Sequence, residues 1–128
     1  MTAYKLIRIG RLLATRASIE GSGGRKLLTL LVDTGSTYTI IPVEALEAIG
    51  SSPAESKDHV RIITGSGVLI APRVSVPAFH CLGRELKNCP LVGHSLPASA
   101  PIDGLLGMDV LTPLETRIDL QRGLIEVS

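Results

Sequence analysis

One aspartate lies at the end of an apolar run, among residues that suit an ionisable acid. Residues 30–32 are Leu-Leu-Val, and they lead directly into Asp33, Thr34 and Gly35. A carboxylate at the end of a buried strand must be hydrogen-bonded or paired, because an unpartnered buried charge is costly. Gly35 lets a backbone N–H approach that carboxylate, and the Thr34 hydroxyl can donate and accept hydrogen bonds. These residues can therefore hold an ionisable acid in a place of low dielectric constant.

The rest of the chain alternates between apolar runs and turns that would position this acid. Val43, Leu46 and Ile49 lie three residues apart, which predicts a short helix that has Pro42 in its first turn and ends near Gly50. A second short helix is expected at 108–111, and glycines and small polar residues predict hairpin turns. The expected strands cover residues 5–9, 12–19, 26–32, 38–41, 59–63, 68–70, 72–79, 87–92, 102–106, 116–120 and 124–127. The pattern predicts a mostly β fold with two short helices.

Length and composition limit the class of protein. The 128 residues suit one domain, 1–128, that buries its own core. The formal net charge of +1 argues against a nucleic-acid partner, because phosphate binding needs a concentrated basic face. No apolar run is long enough to span a bilayer, so no membrane association is expected.

The two cysteines and the N-terminal region bear on compartment and metal binding. The N-terminus lacks a signal-peptide pattern, so we expect a cytoplasmic protein with reduced Cys81 and Cys89. The basic stretch before Glu20 resembles transit peptides in composition, but an edge strand with solvated basic side chains is the favoured interpretation. With His80 and His94 the cysteines could form a zinc set, yet the short Cys-x2–4-Cys loop is missing. We expect no metal and no cofactor.

Two stretches resemble a known family. Leu30-Leu31-Val32-Asp33-Thr34-Gly35-Ser36-Thr37 resembles the active-site turn of aspartic proteases. Ile102-Asp103-Gly104-Leu105-Leu106-Gly107 resembles the apolar-apolar-Gly element that packs beside that turn. The order of features over the whole chain is similar to the single-lobed retropepsin-like family, and closest to its cellular and bacterial members. The resemblance implies a closed β-barrel-like acid-protease lobe with two short helices.

The resemblance also implies a role for each residue of the turn. Asp33 would be catalytic, Thr34 would hydrogen-bond across a two-fold axis, Gly35 would supply a backbone contact, and Ser36 would brace an outer carboxylate oxygen. The supporting apolar-Gly element would comprise Leu105, Leu106 and Gly107.

A predicted hairpin has its tip at Thr64, Gly65, Ser66 and Gly67. By itself the pattern fits an ordinary surface hairpin. The resemblance implies that it is the flap that closes over a bound peptide, with backbone N–H groups that reach substrate carbonyls. The expected pocket walls near Ile40, in the flap and in the loop before Ile102 are aliphatic, which suits apolar substrate side chains.

One Asp-Thr-Gly per chain implies two chains per site. Peptide hydrolysis of this kind needs two carboxylates around one water, and they share a proton because both cannot ionise side by side. The second acid must then come from a second copy. Asp103 is the internal rival, but its position suits bracing of the loop, and Asp109 is expected to be a helix-start acid.

The sequence thus predicts a homodimeric aspartic endopeptidase that acts on peptides or proteins. A non-catalytic retropepsin-like dimerisation or peptide-binding module is the alternative, because a fold does not fix a function. A small-molecule- or metal-binding β-barrel rests on composition and the cysteine–histidine set alone. The chain departs from viral members at two places: Met108 stands where they carry an Arg, and Tyr38 and Thr39 stand where an acid often follows the turn.

Overall fold

Strands make up most of the fold, as the sequence predicts. The computed structural model describes residues 1–64 and 66–128. Its strands are β1 (Thr2–Lys5), β2 (Ile7–Ile9), β3 (Leu12–Gly21), β4 (Gly24–Val32), β5 (Ile40–Ile41), β6 (His59–Thr64), β7 (Gly67–Cys81), β8 (Arg84–Gly93), β9 (Gly104–Leu106), β10 (Arg117–Asp119) and β11 (Leu124–Val127). The helices are α1 (Val43–Ala48) and α2 (Met108–Leu111), and a 3₁₀ turn covers Pro53–Glu55.

The large sheet brings the two motif stretches to one edge. Its strands follow the order β2-β3-β4-β9-β5-β8-β7-β6, while β1, β11 and β10 form a smaller sheet. Strands β4 and β9 run parallel, with Leu30 opposite Gly104 and Val32 opposite Leu106. Parallel neighbours end at the same edge of a sheet. Asp33, which follows β4, and Gly107, which follows β9, therefore lie side by side.

The large sheet curls around an aliphatic core. Strand β3 pairs with β7 as well as with β4, and this pairing joins strands that lie far apart in the sheet order. The core is filled by large apolar side chains from both sheets and both helices, among them Ile19, Leu30, Leu46, Phe79, Leu91, Leu106, Leu111 and Ile125. The rigid support for the motif edge comes from this packing.

The single strand predicted at 5–9 is wrong, because the chain changes partner at Leu6. Strand β1 pairs with β11 and β2 pairs with β3, so the two pieces belong to different sheets. Leu6 between them is buried, and its N–H donates to the carbonyl of Gly123 at 2.8 Å. Both pieces lie at sheet edges, as expected for this basic stretch, but β3, which carries Arg16 of the same stretch, lies inside the large sheet between β2 and β4.

The two strands predicted at 68–70 and 72–79 are one continuous strand, β7. It pairs with β6 up to Pro72 and with β8 beyond it, so the proline lies where the partner changes. Pro77 has no bridged partner in β8, and Asn88 at the facing position has φ 51°. Both prolines therefore sit where their missing N–H interrupts no ladder bond.

Several other strands also differ from prediction in length; β3, β4 and β6 are longer than predicted, and β10 is shorter. The strand predicted at 38–41 shortens to β5, and the one at 102–106 shortens to β9. Strand β8 begins earlier than predicted, because Leu82 and Gly83, with φ 49° and 70°, turn the chain back so that Arg84 faces Cys81. Positive φ at both central residues is typical of a two-residue hairpin turn.

Within residues 1–64 and 66–128, no helix has the length and apolar character needed to cross a membrane.

Candidate active site

Asp33 is held by backbone groups on both of its sides. Its own N–H donates to the carbonyl of Leu106 at 3.0 Å, which ties it to the end of β9. The Gly35 N–H donates to Asp33 Oδ1 at 2.9 Å, and the Ser36 N–H donates to the Asp33 carbonyl at 3.2 Å. A Cβ on Gly35 would lie 3.2 Å from Asp33 Oδ1. Glycine thus leaves room for the N–H to approach the carboxylate, which is half-buried.

The other two residues of the turn point away from the carboxylate. The Ser36 hydroxyl donates to the carbonyl of Tyr38 at 2.6 Å, so its proton is not directed at Asp33 as the resemblance implies. Thr34 is exposed and lines a surface groove with Met108, Leu111 and Ile118. The groove lies on the outer side of the turn, and a neighbouring molecule could reach Thr34 there.

The apolar-Gly element supports the turn through close backbone packing. Leu105 pairs with both Leu31 and Ile40, so β9 lies between the strand that enters the turn and the strand that leaves it. A Cβ at Gly107 would lie 2.4 Å from the Tyr38 carbonyl oxygen and 2.8 Å from that of Ser36. Only glycine fits beneath the chain that leaves the turn.

A hydrogen-bonded link between Thr39 and Asp109 lies beside this contact, and the sequence analysis did not predict it. Thr39 donates its N–H to Asp109 Oδ2 at 3.0 Å and its hydroxyl to Asp109 Oδ1 at 2.6 Å. Its Oγ1 also accepts from the Gly107 N–H at 3.0 Å. Asp109 is in the first turn of α2, as predicted, but its carboxylate is engaged by Thr39. The sequence signal that could have indicated this link is the position of Thr39, a polar residue directly before the apolar pair Ile40-Ile41.

Asp103 braces the base of the site, as predicted. Its Oδ2 accepts from the Thr29 N–H at 2.7 Å, and its own N–H donates to the Thr29 carbonyl at 2.8 Å. Thr29 precedes Asp33 by four residues on an extended chain, a distance of about 13 Å. The two carboxylates are therefore held at different levels of β4, and Asp103 is engaged in a structural contact.

A cavity of about 600 Å³ opens beside Asp33. Strands β6 and β7 form a hairpin that contributes Ile62, Ile63 and Leu69 to one wall. Arg61, also on β6, adds a charged group to this wall. Opposite lie aliphatic side chains of the sheet and of the loop that follows β8, with polar groups from the turn and from His94; the further lining residues are Gly35, Ser36, Thr37, Tyr38, Ile40, Leu96 and Leu105. The aliphatic walls match the expectation from the sequence.

The hairpin tip is described in part. Thr64 ends β6 and pairs with Gly67 at the start of β7, and Ser66 lies in the turn between them. Gly65, predicted at the tip of the flap, lies outside the described residues.

The two cysteines are free thiols in the core rather than part of the site. Burial raises the pKa of Cys81 to about 12 and that of Cys89 to about 11, so both stay protonated near neutral pH. In the described part of the chain, no group of three or more potential His, Cys, Asp or Glu ligands surrounds a common point.

Together, the curled sheet, the acid turn and the supporting apolar-Gly element define the single-lobed retropepsin-like fold. A family described as aspartyl protease matches residues 15–110, and the chain belongs to this family. The chain is also similar in structure to a retropepsin-like aspartic protease from Rickettsia conorii, with a TM-score of 0.70 and 20% sequence identity. That similarity covers 97% of this chain and 88% of the other. No curated protein matches the sequence.

Proposed function

We propose that the protein is a homodimeric aspartic endopeptidase, in which each copy contributes one Asp33 to a shared site. The observation that carries this proposal is the placement of Asp33 beside an aliphatic cavity, under a hairpin, with the Gly35 N–H on its carboxylate. A scaffold protein has no use for an acid held in this way. Membership of the aspartyl protease family supports the same conclusion.

The second carboxylate comes from a second copy. The nearby acids of the same chain are engaged elsewhere, since Asp103 binds the Thr29 N–H and Asp109 binds Thr39. A two-fold axis beside Asp33 would bring two identical carboxylates together and two half-grooves into one cleft. The exposed position of Thr34 is consistent with such a contact.

In the shared site the two Asp33 carboxyl groups hold one proton between them. The ionised carboxylate takes a proton from the bound water, while the protonated partner donates to the substrate carbonyl oxygen. The water oxygen then bonds to the carbonyl carbon and gives a tetrahedral intermediate. The C–N bond breaks as a proton passes to the leaving amine, and the released carboxyl and amine leave the acid pair with its single proton. The two carboxyl groups titrate as a pair, so their apparent pKa values belong to the pair and not to either residue. Because the pair must hold one proton, activity should peak at acidic to near-neutral pH.

The cavity beside Asp33 favours an extended peptide with apolar side chains on both sides of the cleaved bond. Ile40, Ile62 and Leu69 line the cavity that would receive them. Burial of such side chains contributes roughly 1.5–3 kcal/mol each, which is enough to select them over polar ones.

The test compares Asp33→Asn with Asp103→Asn, a matched change in the other Asp-Gly-containing stretch. Cleavage of an unstructured fluorogenic peptide should be lost in Asp33→Asn, retained in Asp103→Asn, and blocked by a statine-type transition-state mimic. Undiminished cleavage by Asp33→Asn would refute the proposal. A wild-type dimer that binds peptides but cleaves none between about pH 3 and 8 would instead support the non-catalytic module.

A further inference from the structure

The chain that leaves the acid turn is fixed to the start of α2 by a buried side-chain link. Thr39 is 0% exposed, which is unusual for a polar residue. Its hydroxyl donates to Asp109 Oδ1 at 2.6 Å and accepts from the Gly107 N–H at 3.0 Å. These two hydrogen bonds fix the orientation of the Thr39 hydroxyl, with its proton toward the Asp109 carboxylate and a lone pair toward the Gly107 N–H.

Two hydrogen bonds from Thr39 hold the carboxylate of Asp109. Its Oδ2 accepts from the Thr39 N–H at 3.0 Å while its Oδ1 accepts from the hydroxyl, so both oxygens act as acceptors of the same residue. An ionised carboxylate can do this, and hydrogen bonds to a charged acceptor are stronger than neutral ones. An amide at position 109 would present an NH₂ group to one of these two donors.

The link completes a clamp around Asp33. Before the turn, the Asp33 N–H is bound by the Leu106 carbonyl at 3.0 Å. After the turn, Thr39 is bound by Gly107 and Asp109, which follow Leu106 in the chain. Both ends of the turn are therefore fixed to one short segment, 106–109, and a shift of either end would move the Asp33 carboxylate.

We infer that Thr39 and Asp109 are positioning residues for Asp33. Neither residue touches the cavity beside Asp33, and their effect on catalysis passes through the backbone. The inference rests on the proposed function only for its kinetic consequence.

The test uses Thr39→Val, which keeps the side-chain shape and removes the hydroxyl, and Thr39→Ser, which restores the hydroxyl. Thr15→Val is the matched control, because Thr15 is also buried in the sheet but belongs to β3, outside the clamp. We expect Thr39→Val to lower kcat by about 10- to 100-fold with KM within about threefold, since a misplaced catalytic group slows the chemical step. Thr39→Ser should recover kcat to within about threefold of wild type. Thr15→Val should leave kcat unchanged.

Asp109→Asn adds the second half of a double-mutant cycle. It should lower kcat by about tenfold, and the pair Thr39→Val with Asp109→Asn should be no slower than the slower single variant, because both changes break one link. Independent, multiplying losses would overturn the link between them. A kcat for Thr39→Val equal to that of Thr15→Val would overturn the positioning role.

A spectroscopic readout separates this inference from the proposed function. The ¹³C chemical shift of the Asp33 carboxyl carbon should change in Thr39→Val, return toward the wild-type value in Thr39→Ser, and stay unchanged in Thr15→Val. If wild type cleaves no peptide while these shifts behave as expected, the proposed function fails and the positioning inference stands. An unchanged Asp33 shift in Thr39→Val would overturn the inference whether or not the protein cleaves peptides.

Discussion

Replacement of Gly107 by alanine tests the tight contact beneath the acid turn. Gly107 has φ −100° and ψ −177°, an extended conformation that alanine adopts without strain. The requirement for glycine is therefore one of space. A Cβ would lie 2.4 Å from the Tyr38 carbonyl oxygen, 2.6 Å from its carbonyl carbon and 2.8 Å from the Ser36 carbonyl oxygen. All three are backbone atoms, so no side chain can rotate away to relieve the overlap.

The structure sets the size of the effect. An ordinary contact begins near 3.4 Å, so the Tyr38 carbonyl must retreat by about 1 Å. The segment 36–39 is held to α2 by hydrogen bonds from the backbone N–H groups of Met108 and Asp109, at 2.8 and 3.1 Å. A retreat of this size breaks both bonds, at about 1 kcal/mol each. Residual overpacking adds about 1–3 kcal/mol, so Gly107→Ala should cost about 3–5 kcal/mol of unfolding free energy.

The assay is urea unfolding at equal protein concentration, because the stability of a dimer depends on concentration. The chain has no Trp and two Tyr, so far-UV circular dichroism is the appropriate signal. Gly10→Ala is the control: Gly10 has φ +61° and no atom within 4 Å of an added Cβ. Gly10→Ala should lower the unfolding free energy by only about 1–2 kcal/mol, the cost of a left-handed backbone conformation for a residue with a Cβ. A loss for Gly107→Ala no larger than that for Gly10→Ala would refute the spatial argument.

Three further predictions concern residues around the site and in the core. Thr34→Ala should raise the dimer dissociation constant by about 30-fold, because each copy loses one hydrogen bond of about 1 kcal/mol, and an unchanged value in analytical ultracentrifugation would contradict the role of Thr34 across the two-fold axis. Asp103→Ala should lower the unfolding free energy by about 1–2 kcal/mol, through loss of the acceptor of the Thr29 N–H, and leave kcat intact; a large fall in kcat would make Asp103 more than a brace. Burial raises the pKa of Cys81 from 9.0 to about 12 and that of Cys89 from 9.0 to about 11, so the folded protein keeps protons that the unfolded chain loses above pH 9.0. Their contribution to stability is present below that pH and lost as the pH rises toward those raised values; the slope of Tm against pH above pH 9 should flatten when both are replaced by alanine, and an unchanged slope would contradict it.

The placement of Asp33 could be predicted from sequence because its signals are local. An apolar strand, an acid and a glycine are adjacent in the chain, and Gly35 does place its N–H on the carboxylate. The apolar-Gly element was found by its own pattern, and the register of β4 with β9 brings the two together. Helix α2 lies at the predicted residues.

The link between Thr39 and Asp109 could not be predicted in the same way. The two residues are 70 positions apart, and no spacing rule connects them. Tyr38 and Thr39 carry the pattern of a strand, but the Tyr38 carbonyl accepts from the Ser36 hydroxyl and the Thr39 N–H donates to Asp109, so β5 covers only Ile40–Ile41. Tertiary contacts here override the local β preference.

Strand β7 shows the opposite case, because local signals from its prolines predicted a break in a strand that is continuous. Pro72 and Pro77 indicate strand ends, yet the chain continues: Pro72 pairs with His59 where β7 changes partner, and Pro77 lies at a gap in the pairing with β8. The hydroxyl of Ser36 was assigned to Asp33 from the resemblance, and it instead donates to the nearby Tyr38 carbonyl. A hydroxyl has several acceptors within reach, and sequence does not rank them.

The central claim is that one active site needs Asp33 from two copies. Its most direct test mixes wild type with Asp33→Asn at fixed total concentration, after subunit exchange, and follows peptide cleavage. If the site is shared, an equal mixture retains about a quarter of the wild-type activity, because only pairs of wild-type chains are complete. Retention of about half would mean that each chain works alone, and that result would contradict the account.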